Sequence, residues 1–66
     1  MVESAALLIP GDAVEYRHDD YNDPRVGVVS QVSVDYRGRT EVHLVDSATG
    51  EPYVSKATRF KMAVPA

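Results

Sequence analysis

Arg25-Val26-Gly27-Val28-Val29-Ser30-Gln31-Val32-Ser33-Val34-Asp35-Tyr36 is the stretch on which the fold turns. Val26, Val28, Val32, Val34 and Tyr36 share one parity, and Gln31, Ser33 and Asp35 share the other. Period-two alternation rich in β-branched residues marks a long β-strand with one apolar face. Gly27, inside that strand, is read as the place where the backbone bulges or coils so that one part of a sheet folds over another. The strand runs into Tyr36-Arg37-Gly38-Arg39, a tight hairpin signal in which Gly38 supplies the positive φ.

Shorter strands flank this one. Upstream, Ala13 to His18 sets Val14 and Tyr16 inward against Glu15 and Arg17. Downstream, Thr40 to Val45 sets Val42 and Leu44 inward, with Glu41 and His43 outward. The turn Ser47-Ala48-Thr49-Gly50 follows, then a short strand from Pro52 to Ser55. Arg59 to Val64 closes the series, with Phe60, Met62 and Val64 alternating against Arg59, Lys61 and Ala63. Ser55-Lys56-Ala57-Thr58 has the length of a single 3₁₀ turn. Before Pro10-Gly11, residues 1–9 form an N-terminal extension, with Ser4 to Ile9 read as a short helical turn or an edge strand. No repeat, linker or low-complexity tract interrupts the chain, so residues 1–66 are expected to form one domain.

Pro10-Gly11-Asp12-Ala13-Val14, a long polar loop, and Arg25-Val26-Gly27-Val28-Val29 together resemble the opening of KOW and Tudor-like SH3 barrels. That group shows a G-D-x-V strand, a variable first loop and a G-x-V strand that bends sharply. Tyr53-Val54-Ser55-Lys56-Ala57-Thr58-Arg59-Phe60-Lys61 is similar to its short strand, 3₁₀ turn and closing basic-apolar strand. The likeness spans Leu8 to Val64 on short, degenerate motifs. It implies an all-β, five-stranded SH3-like barrel with a short 3₁₀ turn before the last strand, and a first loop that flanks the ligand groove.

Size bounds the chemistry. Sixty-six residues bury a modest core whose gain is nearly cancelled by the cost of ordering the chain. The chain has no cysteine, so disulfides and thiolate zinc sites are impossible. Self-association gains weight as a stabilising route, and a cytoplasmic setting fits. The opening Met1 to Pro10 carries Glu3 where a signal peptide needs basic residues. No run approaches the roughly 18 apolar residues of a membrane span. The Arg-over-Lys bias and abundant Val and Ala suit a GC-rich bacterial or phage genome.

A catalytic reading finds little support. There is no thiol nucleophile, no G-x-S-x-G around any serine, and no phosphate-cradling glycine loop before a helix. The expectation is a non-enzymatic protein without a cofactor. In the first loop, His18-Asp19-Asp20-Tyr21-Asn22-Asp23-Pro24, the carboxylates are hard oxygen donors but lack the spacing of a calcium loop. A solvated loop whose Asp and Asn side chains bond their own backbone is the stronger reading. Beside a ligand groove, such an acidic loop favours a basic partner.

The aromatics Tyr16, Tyr21, Tyr36, Tyr53 and Phe60 raise the prospect of a cage for a methylated cation, which the Tudor-like resemblance implies. Tyr16 and Phe60 have core parity, leaving Tyr21 and Tyr53 as surface candidates. With no tryptophan, recognition of proline-rich segments is disfavoured.

Charge separates the remaining classes. The net charge of −3 disfavours a dominant phosphate-binding role. Yet six acids precede residue 25, while after Glu51 come only Lys56, Arg59 and Lys61. The leading expectation is a protein-interaction or assembly module that binds a protein partner, itself, or both, through Asp19, Asp20, Tyr21, Asp23, Tyr53, Arg59 and Lys61. An acidic loop meeting the basic last strand of a neighbour would give a homo-oligomer. The alternative is a KOW-like nucleic-acid-binding module using Arg37, Arg39, Lys56, Arg59 and Lys61. No membrane partner is expected.

Overall fold

Central to the structure is a long strand that changes its inward face halfway along, because one extra residue is inserted into it. In the computed structural model, which describes residues 1–20 and 22–63, strand β3 (Arg25–Val34) pairs antiparallel with β4 (Thr40–Asp46). Val29 faces Leu44, but the next pair is Gln31 with His43, so Ser30 has no opposite number. Its hydroxyl donates to the His43 carbonyl at 3.2 Å. Inserting one residue into a period-two pattern exchanges the two faces. Gly27 and Val29 therefore point inward before the bulge, and Val32 turns toward the core after it.

That insertion corrects the single parity read for this stretch. Val26 and Val28 lie on the outer face, and Val34 and Tyr36 are exposed, Tyr36 to 90%. The bulge sits at Ser30 and not at Gly27. What Gly27 provides instead is space, since a Cβ there would lie 3.0 Å from Cε1 of Tyr16. The glycine makes room for a ring.

The remaining strands are β1 (Val2–Ser4), β2 (Ala13–Tyr16), β5 (Pro52–Ser55) and β6 (Arg59–Met62). All six form one antiparallel sheet in the order β1-β6-β2-β3-β4-β5. The architecture is all-β as expected, but with six strands rather than five, and the sheet is not closed into a barrel. The added strand comes from the N-terminal extension, where Val2, Glu3 and Ser4 pair with Lys61, Phe60 and Arg59. Strand ends also differ from the sequence reading: β2 stops at Tyr16 rather than His18, and β3 at Val34 rather than Tyr36. Val64, expected in the last strand, lies outside the described residues.

The 3₁₀ turn is also displaced. Ser55 to Thr58 is not helical, and the one 3₁₀ segment among the described residues is Ala5–Leu7. It follows β1 and is tied down by a bond from the Ala5 amide to the Thr58 carbonyl at 2.9 Å. Ala5 and Leu8 are thereby buried as a lid over the inner face of the sheet.

Val14, Val29, Val42 and Leu44 are fully buried there, joined by Tyr16 and Phe60. Fully burying an aliphatic side chain of this size stabilises by about 1.5–3 kcal/mol. The inward assignments of Val14, Tyr16, Val42, Leu44 and Phe60 hold. No helix among the described residues is long and apolar enough to cross a membrane.

The Gly27 contact yields a test. Gly27→Ala gains a few tenths of a kcal/mol by restricting the unfolded chain but forces a methyl against a ring that is anchored at its far end. Urea denaturation of Gly27→Ala is expected to show a net loss of about 1–3 kcal/mol. An unchanged or raised midpoint would show that the ring is free to move away.

Candidate functional site

Tyr16 and Arg25 are directly opposite one another at the end of the β2–β3 ladder, so they form the base of the acidic first loop. Gly27, two residues beyond Arg25, faces Asp46 on β4. Because Gly27 carries no side chain, the Tyr16 ring passes over it and reaches the Asp46 carboxylate. The Tyr16 hydroxyl donates to Asp46 Oδ2 at 2.7 Å, and Arg25 Nε donates to the same oxygen at 2.6 Å. Asp46 Oδ1 accepts the amides of Ala48 and Thr49 at 2.8 and 3.0 Å.

Asp46 is buried to 3% exposure, and it is the one buried charged residue in the described core. Four donors saturate its carboxylate, which is what makes burying the charge tolerable. The Arg25 guanidinium, with the Tyr16 hydroxyl after it, holds the Asp46 carboxyl well below the usual range against the opposing effect of burial. Burial first, and then the bond to Asp46, raise the Tyr16 hydroxyl above its ordinary value.

The network extends outward through rings. Tyr53 on β5 stacks on Tyr16 with centroids 5.2 Å apart, and His18 lies 4.7 Å from Tyr53. His18 Nδ1 accepts the Asp20 amide at 3.0 Å, and Arg17 donates to the Asn22 carbonyl at 3.3 Å. Among the described residues, the bonds that hold the loop come from His18 and Arg17. Asp19 and Asp23 are exposed. Among the described residues, no three His, Asp or Glu side chains converge as a metal-ligand set.

An open groove of about 340 Å³ lies against this loop. The buried Tyr16 and Phe60 supply its apolar base, Ala57 adds to the lining, and cationic Arg17, Arg59 and Lys61 stand around it. Glu15 is the lone acid in the lining and pairs with Lys61 at 3.6 Å. The stems of the acidic loop, Arg17 and Pro24, form one wall, and β6 with the connection from β5 forms the other.

The structure places the expected partner-binding residues as follows. Arg59 and Lys61 line the groove, and Asp19, Asp20 and Asp23 lie in the loop beside it. Tyr53 is half-buried in the aromatic stack behind Tyr16 instead of standing free, and Tyr21 lies outside the described residues. Among the described aromatics, Tyr16 and Phe60 are buried and Tyr53 packs on Tyr16, so these three rings do not form an open cage.

The expected nucleic-acid residues separate into two groups. Arg37, Arg39 and Lys56 cluster at the β3–β4 hairpin tip, where Lys56 pairs with Asp35 at 3.5 Å and Glu41 at 3.8 Å. Arg37 lies over the exposed Tyr36 ring at 5.4 Å. Arg39 and Lys56 share a second hollow with Ser4, Thr40 and Thr58, while Arg59 and Lys61 line the first.

Asp46, Arg25 and Gly27's packing role are what sequence reasoning missed. A signal existed for part of this. Asp35-Tyr36-Arg37-Gly38 and Asp46-Ser47-Ala48-Thr49-Gly50 both place an Asp ahead of a turn glycine, where its carboxylate can accept turn amides. Asp35 does so from Arg37 and Arg39 at 2.8 and 2.9 Å, and the Arg39 amide is the main cause that lowers its pKa. Gly38 and Gly50 adopt φ of 80° and 78° as the turns require. The pairing of Asp46 with Tyr16 and Arg25, 30 and 21 residues away, leaves no local trace. Comparison with family models, curated proteins and solved structures found no match.

Two outcomes follow from the Asp46 network. Tyr16→Phe removes a hydrogen bond to a buried charge and is expected to cost about 1–3 kcal/mol in urea melts, with Asp46→Asn costing more. A Tyr16→Phe midpoint equal to wild type would contradict the network. The second concerns acid. A carboxyl whose folded pKa is depressed contributes stability that is complete above about pH 5 and is lost as pH falls through the unfolded value near 4 toward the folded one. Melting temperature is therefore expected to drop from about pH 5 to pH 2, more shallowly in Asp46→Asn, with Asp35 sustaining the residual slope. Parallel profiles would show that Asp46 carries none of it.

Proposed function

We propose that this chain is a non-catalytic protein-interaction or assembly module built on an SH3-like β unit, with the groove between the first loop and β6 as its contact surface. Several features support the SH3-like reading. They are the first long loop, the bulged β3, the short β5, and a closing basic-apolar strand that pairs back onto β2. The cysteine-free composition suits a cytoplasmic setting.

One observation carries the functional reading. The groove combines an apolar base with three cations on the rim of a chain whose net charge is −3, and the Asp46 network fixes the stems of its loop wall. Such a surface fits an extended segment of another protein that carries acidic residues beside an apolar or aromatic side chain. The rim charges supply steering and register, and the base supplies burial. The first loop alone favours a basic partner, but the groove beside it has the opposite sign.

A nucleic-acid reading is favoured by the exposed Tyr36 ring with Arg37 and Arg39 at the hairpin tip, a stacking platform next to cations. It is weakened because Lys56 and Lys61 are already paired with acids and the five cations fall into two groups.

Amide chemical-shift mapping tests the two readings together. The probes are a short acidic peptide containing tyrosine, a basic peptide of equal length, and a single-stranded oligonucleotide. The acidic peptide is expected to shift Arg17, Ala57, Arg59 and Lys61, with the affinity falling about tenfold in Arg59→Glu. Oligonucleotide shifts centred on Tyr36 and Arg39, steeply lost with salt and unaccompanied by peptide binding, would replace this reading with the nucleic-acid one.

A further inference from the structure

The groove and the loop beside it are opposite in charge and belong to the same chain. Around the groove stand Arg17, Arg59 and Lys61 against Glu15, so three cations and one acid leave a charge of +2. The loop between its two stems carries Asp19, Asp20 and Asp23, all exposed, for a charge of −3. Asp19 and Asp23 have no ion pair among the described residues, and neither does Arg59. A protein that sets unpaired charges of both signs at adjacent exposed sites offers each of them to another molecule.

The loop does not fill its own groove. Arg17 and Pro24 are already its wall, and the Arg17–Asn22 bond holds the loop closed over its stems. A second copy related by a two-fold axis solves this geometry. Because loop and groove are neighbours, one axis beside them lays each loop over the other copy's groove, making two identical contacts that use up both surfaces. A contact of the same kind without the two-fold would leave one loop and one groove open and continue into a chain.

We propose that this chain self-associates as a two-fold dimer in which the acidic loop of each copy, through Asp19, Asp20 and Asp23, docks over the Arg17, Arg59 and Lys61 rim of the other. This rests on the reading of the groove as a protein-binding surface and names its occupant. The chain exposes 4583 Å² in total, so a standard interface of about 800 Å² per partner would cover roughly a sixth of it. A loop on a groove covers less. The dimer is therefore weak, concentration-dependent and salt-sensitive, with dissociation in the micromolar range or above.

Sedimentation velocity from about 10 µM to about 1 mM protein tests it, at about 0.05 M and about 0.5 M salt. The expected result is a mass rising from the 7.2 kDa monomer toward twice that value and no further, with at least about tenfold weaker association at the higher salt. Arg59→Glu with Lys61→Glu is expected to be monomeric. So is Asp19→Lys with Asp20→Lys and Asp23→Lys. An equimolar mixture of the two variants restores dimers, since each loop then faces a groove of opposite sign. Circular dichroism and melting curves of both variants serve as the folding check, as all the altered side chains are exposed.

Wild type that stays monomeric throughout the range would overturn the proposal, as would two variants that still dimerise alone. Mass growing beyond the dimer would overturn the two-fold closure. If the acidic peptide shifts the groove amides while the protein remains monomeric, the groove reading stands and this inference fails. If the protein dimerises as described but no peptide binds, self-association is the groove's use and the wider reading fails.

Discussion

A single buried carboxylate, that of Asp46, ties the side chains of β2 and β3 to the turn after β4, on top of the backbone ladders that pair these strands. It accepts from a ring hydroxyl on β2, a guanidinium on β3 and two amides of the turn after β4. A buried ion pair is weak evidence of net stability, because desolvation can exceed the Coulombic gain. What it does strongly is penalise alternatives: any register that separates Tyr16, Arg25 and Asp46 leaves a buried charge without its donors. In a small sheet without disulfides, whose apolar core among the described residues is eight side chains, that penalty favours one pairing of the central strands. No buried side-chain nitrogen or oxygen among the described residues lacks a partner.

The groove is positioned by the same constraint. Tyr16 and Arg25 are cross-strand partners at the mouth of the first loop, so fixing them to Asp46 fixes where the loop leaves the sheet. Tyr16 also forms part of the groove base, and its contact with Tyr53 links the groove to the far edge strand β5. The loop can be polar, exposed and rich in acids because its ends are anchored by buried chemistry. The basic wall opposite comes from β6, which gains a second neighbour when the N-terminal residues add β1 at the sheet edge.

Much of the strand content was legible in the sequence, because alternation reports directly on a half-buried sheet. Val14 and Tyr16, Val42 and Leu44, and Phe60 fell on the inner face as their spacing implied. The failure in β3 has a definite cause. A bulge adds one residue without changing composition, so Val28 and Val32 look equivalent in sequence and lie on opposite faces in the sheet. Gly27 was recognised as unusual but for the wrong physics, since a close ring contact and a bulge both call for a missing side chain. Closure into a barrel depends on strand curvature and on pairing of the outermost strands, neither of which has a local signature. The site was half legible: Arg59, Lys61 and the acidic loop carried visible charge, whereas Asp46 reads as one more turn residue until its distant partners are known.

Ala48 and Thr49 are exposed turn residues whose amides are bonded to the Asp46 carboxylate. Native-state hydrogen exchange of these two amides, compared with that of Leu44 in the core, tests most directly whether the carboxylate unites the fold. If it does, Ala48 and Thr49 open only with global unfolding and share the Leu44 protection. Exchange of both at the rate of ordinary surface-turn amides, with Leu44 still protected, would contradict the account.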